Sequence, residues 1–159
     1  MIRRGAMWLI PAGVLAADRI TKTLAVNIPP EGAVLIPGVV GLRYTRNTGA
    51  AFSILSGHPW LLGIAGLAAV CAAVLMLRKK NLSPLMRTGL MMMLGGAAGN
   101  MADRLLTGYV PDMIEILFVD FAIFNVADIF LCLGCALAVM AVFRKDASGK
   151  EETASGETV

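Results

Sequence analysis

Long apolar runs separated by short polar stretches organise this chain. Crossing the hydrocarbon core of a bilayer takes about 20 residues of helix, and four runs are long enough. They predict transmembrane helices at residues 5–28, 59–77, 85–106 and 125–143. The first run begins like a cleavable signal peptide but continues as a helix beyond Ala17, which predicts an uncleaved first span.

The two connections at residues 29–58 and 107–124 lie at the same end of the predicted bundle. The first is rich in β-branched residues around Pro37 and Gly38, which predicts a hairpin or small sheet. Because unpaired backbone is costly within a bilayer, we expect this β platform, at about residues 31–55, at the outer surface. The predicted fold is an all-α membrane protein: four transmembrane helices, a small extracytoplasmic β-sheet platform and a short outer loop or helix.

Composition and charge placement agree with this pattern. Hydrophobic residues make up 57% of the 159 residues, which is far above an ordinary soluble domain. The net charge of +3 is spread over short groups, so no basic patch for nucleic acid is present. With four spans, most of these groups fall on one side, which the positive-inside rule places in the cytoplasm with both termini. They are Arg3, Arg4, Arg78, Lys79, Lys80, Arg87, Arg144 and Lys145.

The last residues differ in composition from the rest. Ser, Gly and charged residues dominate after Phe143, which predicts a disordered cytoplasmic tail at 144–159. The predicted organisation is therefore one four-helix membrane domain, residues 1–143, followed by that tail.

Asp128 is the most unusual residue, because it lies within an apolar run from Phe121 to Phe143. A carboxylate at membrane depth costs about 2.5 to 3.5 kcal/mol on insertion scales, so it needs a partner or a function. Two neighbouring carboxylates in a poorly hydrated site share a proton, as in aspartic proteases. Three acids predicted near the outer face are possible partners of Asp128, and their spacing in the sequence does not decide among them. They are Asp103, Asp112 and Asp120.

Other polar residues occur at helical spacings. Asp18 and Lys22 are four residues apart, as are Asn100 and Arg104; such pairs often serve only to hold helices in register. Gly95 and Gly99 form a spacing that permits close helix contact. His58 is the only histidine, which argues against a metal protease or a serine triad.

These residues leave three classes of function open. Besides a peptidase, intramembrane acids beside Arg and Asn also build ion-coupled transporters. The small number of helices and the absence of an inverted repeat argue against a transporter. A purely structural adaptor is the third class, and it leaves Asp128 unexplained.

Five ordered sequence blocks carry a family resemblance. They are Asp18 with Lys22, residues 44–53, residues 95–104, residues 108–112 and residues 124–128. Together they resemble lipoprotein signal peptidase, or signal peptidase II, a family of bacterial inner-membrane aspartic peptidases. The resemblance implies cleavage of diacylglyceryl-modified prolipoproteins immediately before the lipidated cysteine.

The resemblance also implies roles for individual residues. Asp112 and Asp128 would be the catalytic pair that activates water. Active-site support or substrate binding would fall to Asn47, Asn100, Arg104 and Asn125. Structural support would come from Asp18, Lys22 and Asp103. It implies neither a metal nor another cofactor; the expected partners are prolipoproteins and membrane lipid, with no nucleic acid, and the expected state is a monomer.

Overall fold

The computed structural model describes residues 5–50 and 55–156, with side chains described as far as residue 144. Three parts of the predictions lie outside this description: Arg3 and Arg4 of the topology prediction, residues 51–54 of the predicted platform, and the predicted tail after Arg144, of which only the backbone to residue 156 is described. The elements, in chain order, are a 3-10 turn Ala6–Trp8, α1 Leu9–Ala25, β1 Ala33–Ile36, β2 Val40–Asn47, α2 Pro59–Leu77, α3 Pro84–Leu106, β3 Val110–Ile116 and α4 Val126–Gly156.

A helix lies in each of the four predicted spans. Two segments, Pro59–Leu77 and Val126–Arg144, are long and apolar enough to cross a bilayer, and only 17% of each is buried within the protein. Their apolar side chains therefore face outward. The first and third helices carry charged residues, and a membrane crossing by all four helices stays a prediction. The last helix continues to Gly156, and the division of the chain at residue 143 likewise stays a prediction.

Local sequence signals explain where α2 and α3 begin and end. Both start with a proline, Pro59 and Pro84, whose missing N–H is not needed at that position. Ser83 caps α3, since its Oγ accepts a hydrogen bond from Met86 N at 3.2 Å. Arg87 closes the turn between the two helices by donating to the carbonyl oxygen atoms of Leu77 at 3.2 Å and Lys79 at 3.3 Å.

Glycines bring α3 against its neighbours, as the sequence predicted. A Cβ on Gly95 would lie 2.7 Å from Cβ of Val14, and one on Gly99 would lie 2.6 Å from Oδ2 of Asp18. Both glycines therefore admit α1. On the other side of α3, Gly89 packs directly on Gly134 of α4, where an added Cβ would lie 2.5 Å from the Gly134 carbonyl oxygen.

The predicted hairpin is confirmed and belongs to a three-stranded antiparallel sheet of order β1-β2-β3. The sequence predicted only a loop or short helix between α3 and α4. This was wrong, because the strand β3 lies there. The strand signal is weak because Asp112 occupies a buried position where alternation calls for an apolar residue. Two residues of β2, Arg43 and Tyr44, lie opposite Met113 alone, which is a bulge.

Candidate active site

Asp112 lies in the middle of β3 and points to the covered side of the sheet. Its partner in the register is Thr45, while Asn47 pairs with Val110, so all four side chains share one face. Asp112 is only 2% exposed. Its Oδ2 accepts a hydrogen bond from Asn47 Nδ2 at 2.9 Å. The strand pairing thus fixes one carboxylate against one amide.

Asp128 lies in the first turn of α4 and takes part in its cap. Asp128 N donates to Asn125 Oδ1 and Asn125 N donates to Asp128 Oδ2, both at 3.1 Å. This reciprocal pair is a capping box with Asn and Asp in the two roles. The other carboxylate oxygen, Oδ1, accepts from Asn100 Nδ2 of α3 at 2.8 Å. The start of α4 and the contact with α3 together fix the second carboxylate.

Asn125 connects these two carboxylates. It is fully buried, and its Nδ2 donates to Asp112 Oδ1 at 2.6 Å and to Asn100 Oδ1 at 3.3 Å. Asn125 therefore bonds to Asp112 through its side-chain NH₂ group, and to Asp128 through its backbone N–H and its side-chain oxygen. Each of the two carboxylates, Asp112 and Asp128, therefore accepts two N–H hydrogen bonds from the three asparagines.

The remaining acids considered from the sequence lie elsewhere. Asp103 accepts from Lys22 Nζ at 2.7 Å and from an Arg19 Nη at 2.9 Å, so basic groups already bind it. Asp120 is exposed and lines a neighbouring polar cavity. Geometry thus separates Asp112 from the two acids that spacing alone left equal to it.

Lys22 forms the centre of a buried polar network behind the site. Its ammonium group donates to Asp18 Oδ2 at 2.7 Å, Asp103 Oδ2 at 2.7 Å and Asn100 Oδ1 at 2.8 Å. Asp18 Oδ1 also accepts from Ala127 N at 3.1 Å, which connects α1 to the first turn of α4. By occupying Asn100 Oδ1, Lys22 directs the amide nitrogen of Asn100 toward Asp128.

Arg104 lies one helical turn beyond Asn100. One Nη donates to the Gly49 carbonyl oxygen at 2.9 Å, which ties α3 to the chain after β2. Its Nε is buried and has no hydrogen-bond partner among the residues that the structure describes. An unpaired buried donor is costly, which makes this N–H an unusual feature of the site.

Two cavities meet at Asp112. The larger, about 520 Å³, is bounded by Asn100, Arg104 and Asp128 at its polar end, and most of its wall is apolar. That wall includes Phe121, Ile123, Phe124, Ile129, Leu131 and Leu133. The second, about 450 Å³, is polar, and its lining includes Thr45, Arg46, Glu115 and Asp120. Asp112 and Asn47 line both.

Burial changes the acidity of the strand carboxyl. Desolvation raises the pKa of Asp112 to about 6, and the negative charge of Asp128 adds to this effect. Hydrogen bonds from Asn47 and Asn125 act in the opposite direction because they favour the carboxylate. Asp112 is therefore able to hold or release a proton near neutral pH.

Comparison with known proteins identifies the family. The family model described as signal peptidase (SPase) II matches residues 10–144. The chain belongs to the signal peptidase II family. Membership of this aspartic peptidase family makes it an enzyme that hydrolyses peptide bonds and excludes the transporter and adaptor classes.

Individual relatives support the same assignment. The chain is 42% identical over 139 residues to the lipoprotein signal peptidase of Streptococcus agalactiae serotype Ia, covering 86% of this chain and 90% of that protein. It is 38% identical to the lipoprotein signal peptidase of Thermosynechococcus vestitus, covering 84% and 88%. A bacterial membrane enzyme determined by the in meso method at 2.3 Å resolution superimposes with a TM-score of 0.83, at 34% identity and 92% coverage of both chains.

All nine site residues named from the sequence fall in one connected region. Direct hydrogen bonds join the two acids and the three asparagines: Asp112, Asp128, Asn47, Asn100 and Asn125. Arg104 and Lys22 bond to Asn100, and Asp18 and Asp103 bond to Lys22. The predicted set omitted Arg19 and the Gly49 carbonyl group, which bind Asp103 and Arg104. Arg19 had a signal, because it is a charge next to Asp18 in an apolar run; a backbone carbonyl has none.

Proposed function

We propose that this enzyme is a membrane aspartic endopeptidase that removes signal peptides from diacylglyceryl-modified prolipoproteins, cutting immediately before the lipidated cysteine. One observation carries the proposal. Asp112 of the sheet and Asp128 of α4 are bridged by Asn125 at the polar end of an apolar cavity. The names of the relatives, lipoprotein signal peptidase, supply the substrate class.

The reaction needs only water and the two acids. A water molecule between them gives a proton to the ionised carboxylate and attacks the carbonyl carbon before the cysteine. The protonated carboxyl donates to the carbonyl oxygen, which gives a neutral gem-diol intermediate. As the C–N bond breaks, the pair gives its proton to the amine of the cysteine and takes one back from a hydroxyl group of the gem-diol, which becomes the new carboxyl group. The pair is then left sharing one proton again. No covalent acyl-enzyme and no metal takes part.

Arg104 is the residue best placed to orient the peptide. Arg104 lines the cavity that holds both acids, and its guanidinium group carries more N–H donors than its bonds within the protein use. A substrate carbonyl oxygen bound by this guanidinium group is held near the acids, which stabilises charge that develops on the peptide. Asn47 and Asn125 keep the carboxylates in position through bonds that are already formed.

The two cavities suit the two halves of this substrate. The apolar cavity accepts the diacylglyceryl chains or the end of the signal peptide, and the polar cavity accepts the mature chain beyond the cysteine. This requires the acids to lie near the outer membrane face, where water and lipid both reach them. We place the enzyme in the bacterial inner membrane with four spans, residues 1–143, and with both termini and the 144–159 tail in the cytoplasm. One chain supplies every site residue, so a monomer suffices.

A lipid-dependent cleavage assay tests the proposal. Purified enzyme is given two prolipoprotein peptides of one sequence, with and without diacylglycerol on the cysteine. We expect cleavage before the cysteine of the lipidated peptide only, and no effect of a metal chelator. Equal cleavage of both peptides would show that the enzyme does not recognise the lipid on the cysteine. Inhibition that is reversed by added metal would contradict the two-acid mechanism.

A further inference from the structure

A third cavity lies at the other end of the helix bundle. Its volume is about 420 Å³, and it is lined by Trp8, Val74, Leu77, Arg78, Arg87 and Met91. These residues come from the start of the chain, the end of α2 and the start of α3. At 1.5 Å per residue, Arg87 lies about 25 Å along α3 from Arg104 of the active site, so the peptidase mechanism does not use this cavity.

The polar end of the cavity holds two guanidinium groups. Arg87 is fixed by its bonds to the carbonyl oxygen atoms of Leu77 and Lys79, which leaves further N–H donors of its fork. Arg78 is exposed at the last turn of α2. Neither arginine is part of an ion pair among the described residues.

The elements around the cavity carry no acid that would neutralise these arginines. The sequence has no Asp or Glu in residues 1–17 or in residues 32–102, which include all six lining residues. A counter-ion for Arg78 and Arg87 must therefore come from outside these segments, either from the acids after Phe143, whose side chains lie outside the described residues, or from a ligand. Guanidinium groups bind phosphate in a bidentate geometry, and basic cavities between membrane helices are typical sites for phospholipid headgroups.

The rest of the cavity is apolar, which favours an amphiphile over a free anion. Val74, Leu77 and Met91 form the wall below the arginines, and Trp8 is exposed, as is typical of the indole at a membrane interface. We propose that this cavity binds one anionic phospholipid, with its phosphate group on Arg78 and Arg87 and an acyl chain along the apolar wall. The proposal goes beyond the peptidase function and does not depend on it.

The two tryptophans provide a direct test. Trp8 and Trp60 are the only ones, and Trp60 lies at the opposite end of α2. In Trp60→Phe enzyme, Trp8 fluorescence is measured in vesicles that contain a small fraction of brominated phosphatidylglycerol or of brominated phosphatidylcholine. We expect the anionic lipid to quench several-fold more strongly. In Trp8→Phe enzyme, we expect Trp60 to show no such preference.

A matched pair of variants separates a site from general attraction to a basic loop. In the Trp60→Phe background, Arg78→Gln should abolish the preference, whereas Lys79→Gln removes the same charge one position along and should keep it. Equal losses in the two variants, or no preference in the parent, would overturn the proposal. So would a preference that appears only after Glu151 and Glu152 are changed to Gln, because the acidic end of the chain would then be the occupant. The melting temperature of each variant confirms that it is folded.

Discussion

Asn125 donates a 2.6 Å hydrogen bond from its amide nitrogen to Oδ1 of Asp112. The same residue is the cap of α4 and exchanges hydrogen bonds with Asp128. The first turn of a helix and the placement of two acids therefore depend on one side chain. The acids lie on different elements, and this bond joins them beside the backbone pairing of Ile114 in β3 with Phe124, the residue before Asn125.

Asn125→Ser separates the two roles of that residue. Serine is a good helix cap, so α4 should keep its first turn, but its hydroxyl is too short to replace the buried bond to Asp112, and the melting temperature should fall while the enzyme still folds. A hydrogen bond to a charged group contributes about 1.5–3 kcal/mol, so we expect cleavage to fall by tenfold or more. Normal cleavage by a folded Asn125→Ser enzyme would show that the bridge is not needed.

Lys22→Met tests the buried network behind the site. Lys22 is 2% exposed and binds two carboxylates and Asn100, so removal of its charge leaves buried acids without a partner. We expect a loss of about 3–5 kcal/mol in stability, measured by unfolding in detergent. The control is Arg19→Met, whose side chain is 56% exposed; loss of that surface pair should cost less than about 1 kcal/mol. Similar losses in both variants would contradict this account.

Two glycines at comparable helical positions should respond in opposite directions to alanine. A Cβ at Gly99 would lie 2.6 Å from Asp18 Oδ2, so Gly99→Ala should displace the carboxylate that binds Lys22 and lower the melting temperature. Gly13 has nothing within 4 Å of an added Cβ, and Gly13→Ala should stabilise α1 by about 0.5–1 kcal/mol. Destabilisation by both substitutions would show that the effect is not the contact with Asp18.

The pH dependence follows from the pKa of Asp112, which burial raises to about 6. The pair needs one shared proton, and that proton is lost as the pH rises through this value. We therefore expect kcat/KM to fall on the alkaline side of about pH 6. Asn47→Ala removes a bond that favours the carboxylate, so the pKa of Asp112 should rise and the alkaline limb should move to higher pH.

Asn27→Ala is the control for that shift. Its side chain is exposed and bonds to the Leu24 carbonyl oxygen at the end of α1, and it makes no hydrogen bond to either acid among the described residues. The profile of this variant should match that of the parent enzyme. An alkaline limb that moves to lower pH in Asn47→Ala would contradict the assigned effect of the Asn47 bond.

Local patterns in the sequence predicted the helices and the first hairpin, because apolar length and turn residues are local signals. The third strand was missed since its central residue, Asp112, is a buried acid. Spacing also left Asp103, Asp112 and Asp120 equal as partners of Asp128. What distinguishes them is non-local: Lys22 and Arg19 bind Asp103, solvent reaches Asp120, and the β2 register brings Asp112 to Asn47.

The most direct test of the two-acid site is cleavage of the lipidated peptide by three isosteric variants. Asp112→Asn and Asp128→Asn should each lower the rate by about 10²-fold or more while the protein stays folded. Asp120→Asn makes the same change at an exposed acid on the neighbouring cavity and should cleave at the parent rate. Cleavage that persists in the Asp112 or Asp128 variant, or is lost only in the Asp120 variant, would contradict the assignment.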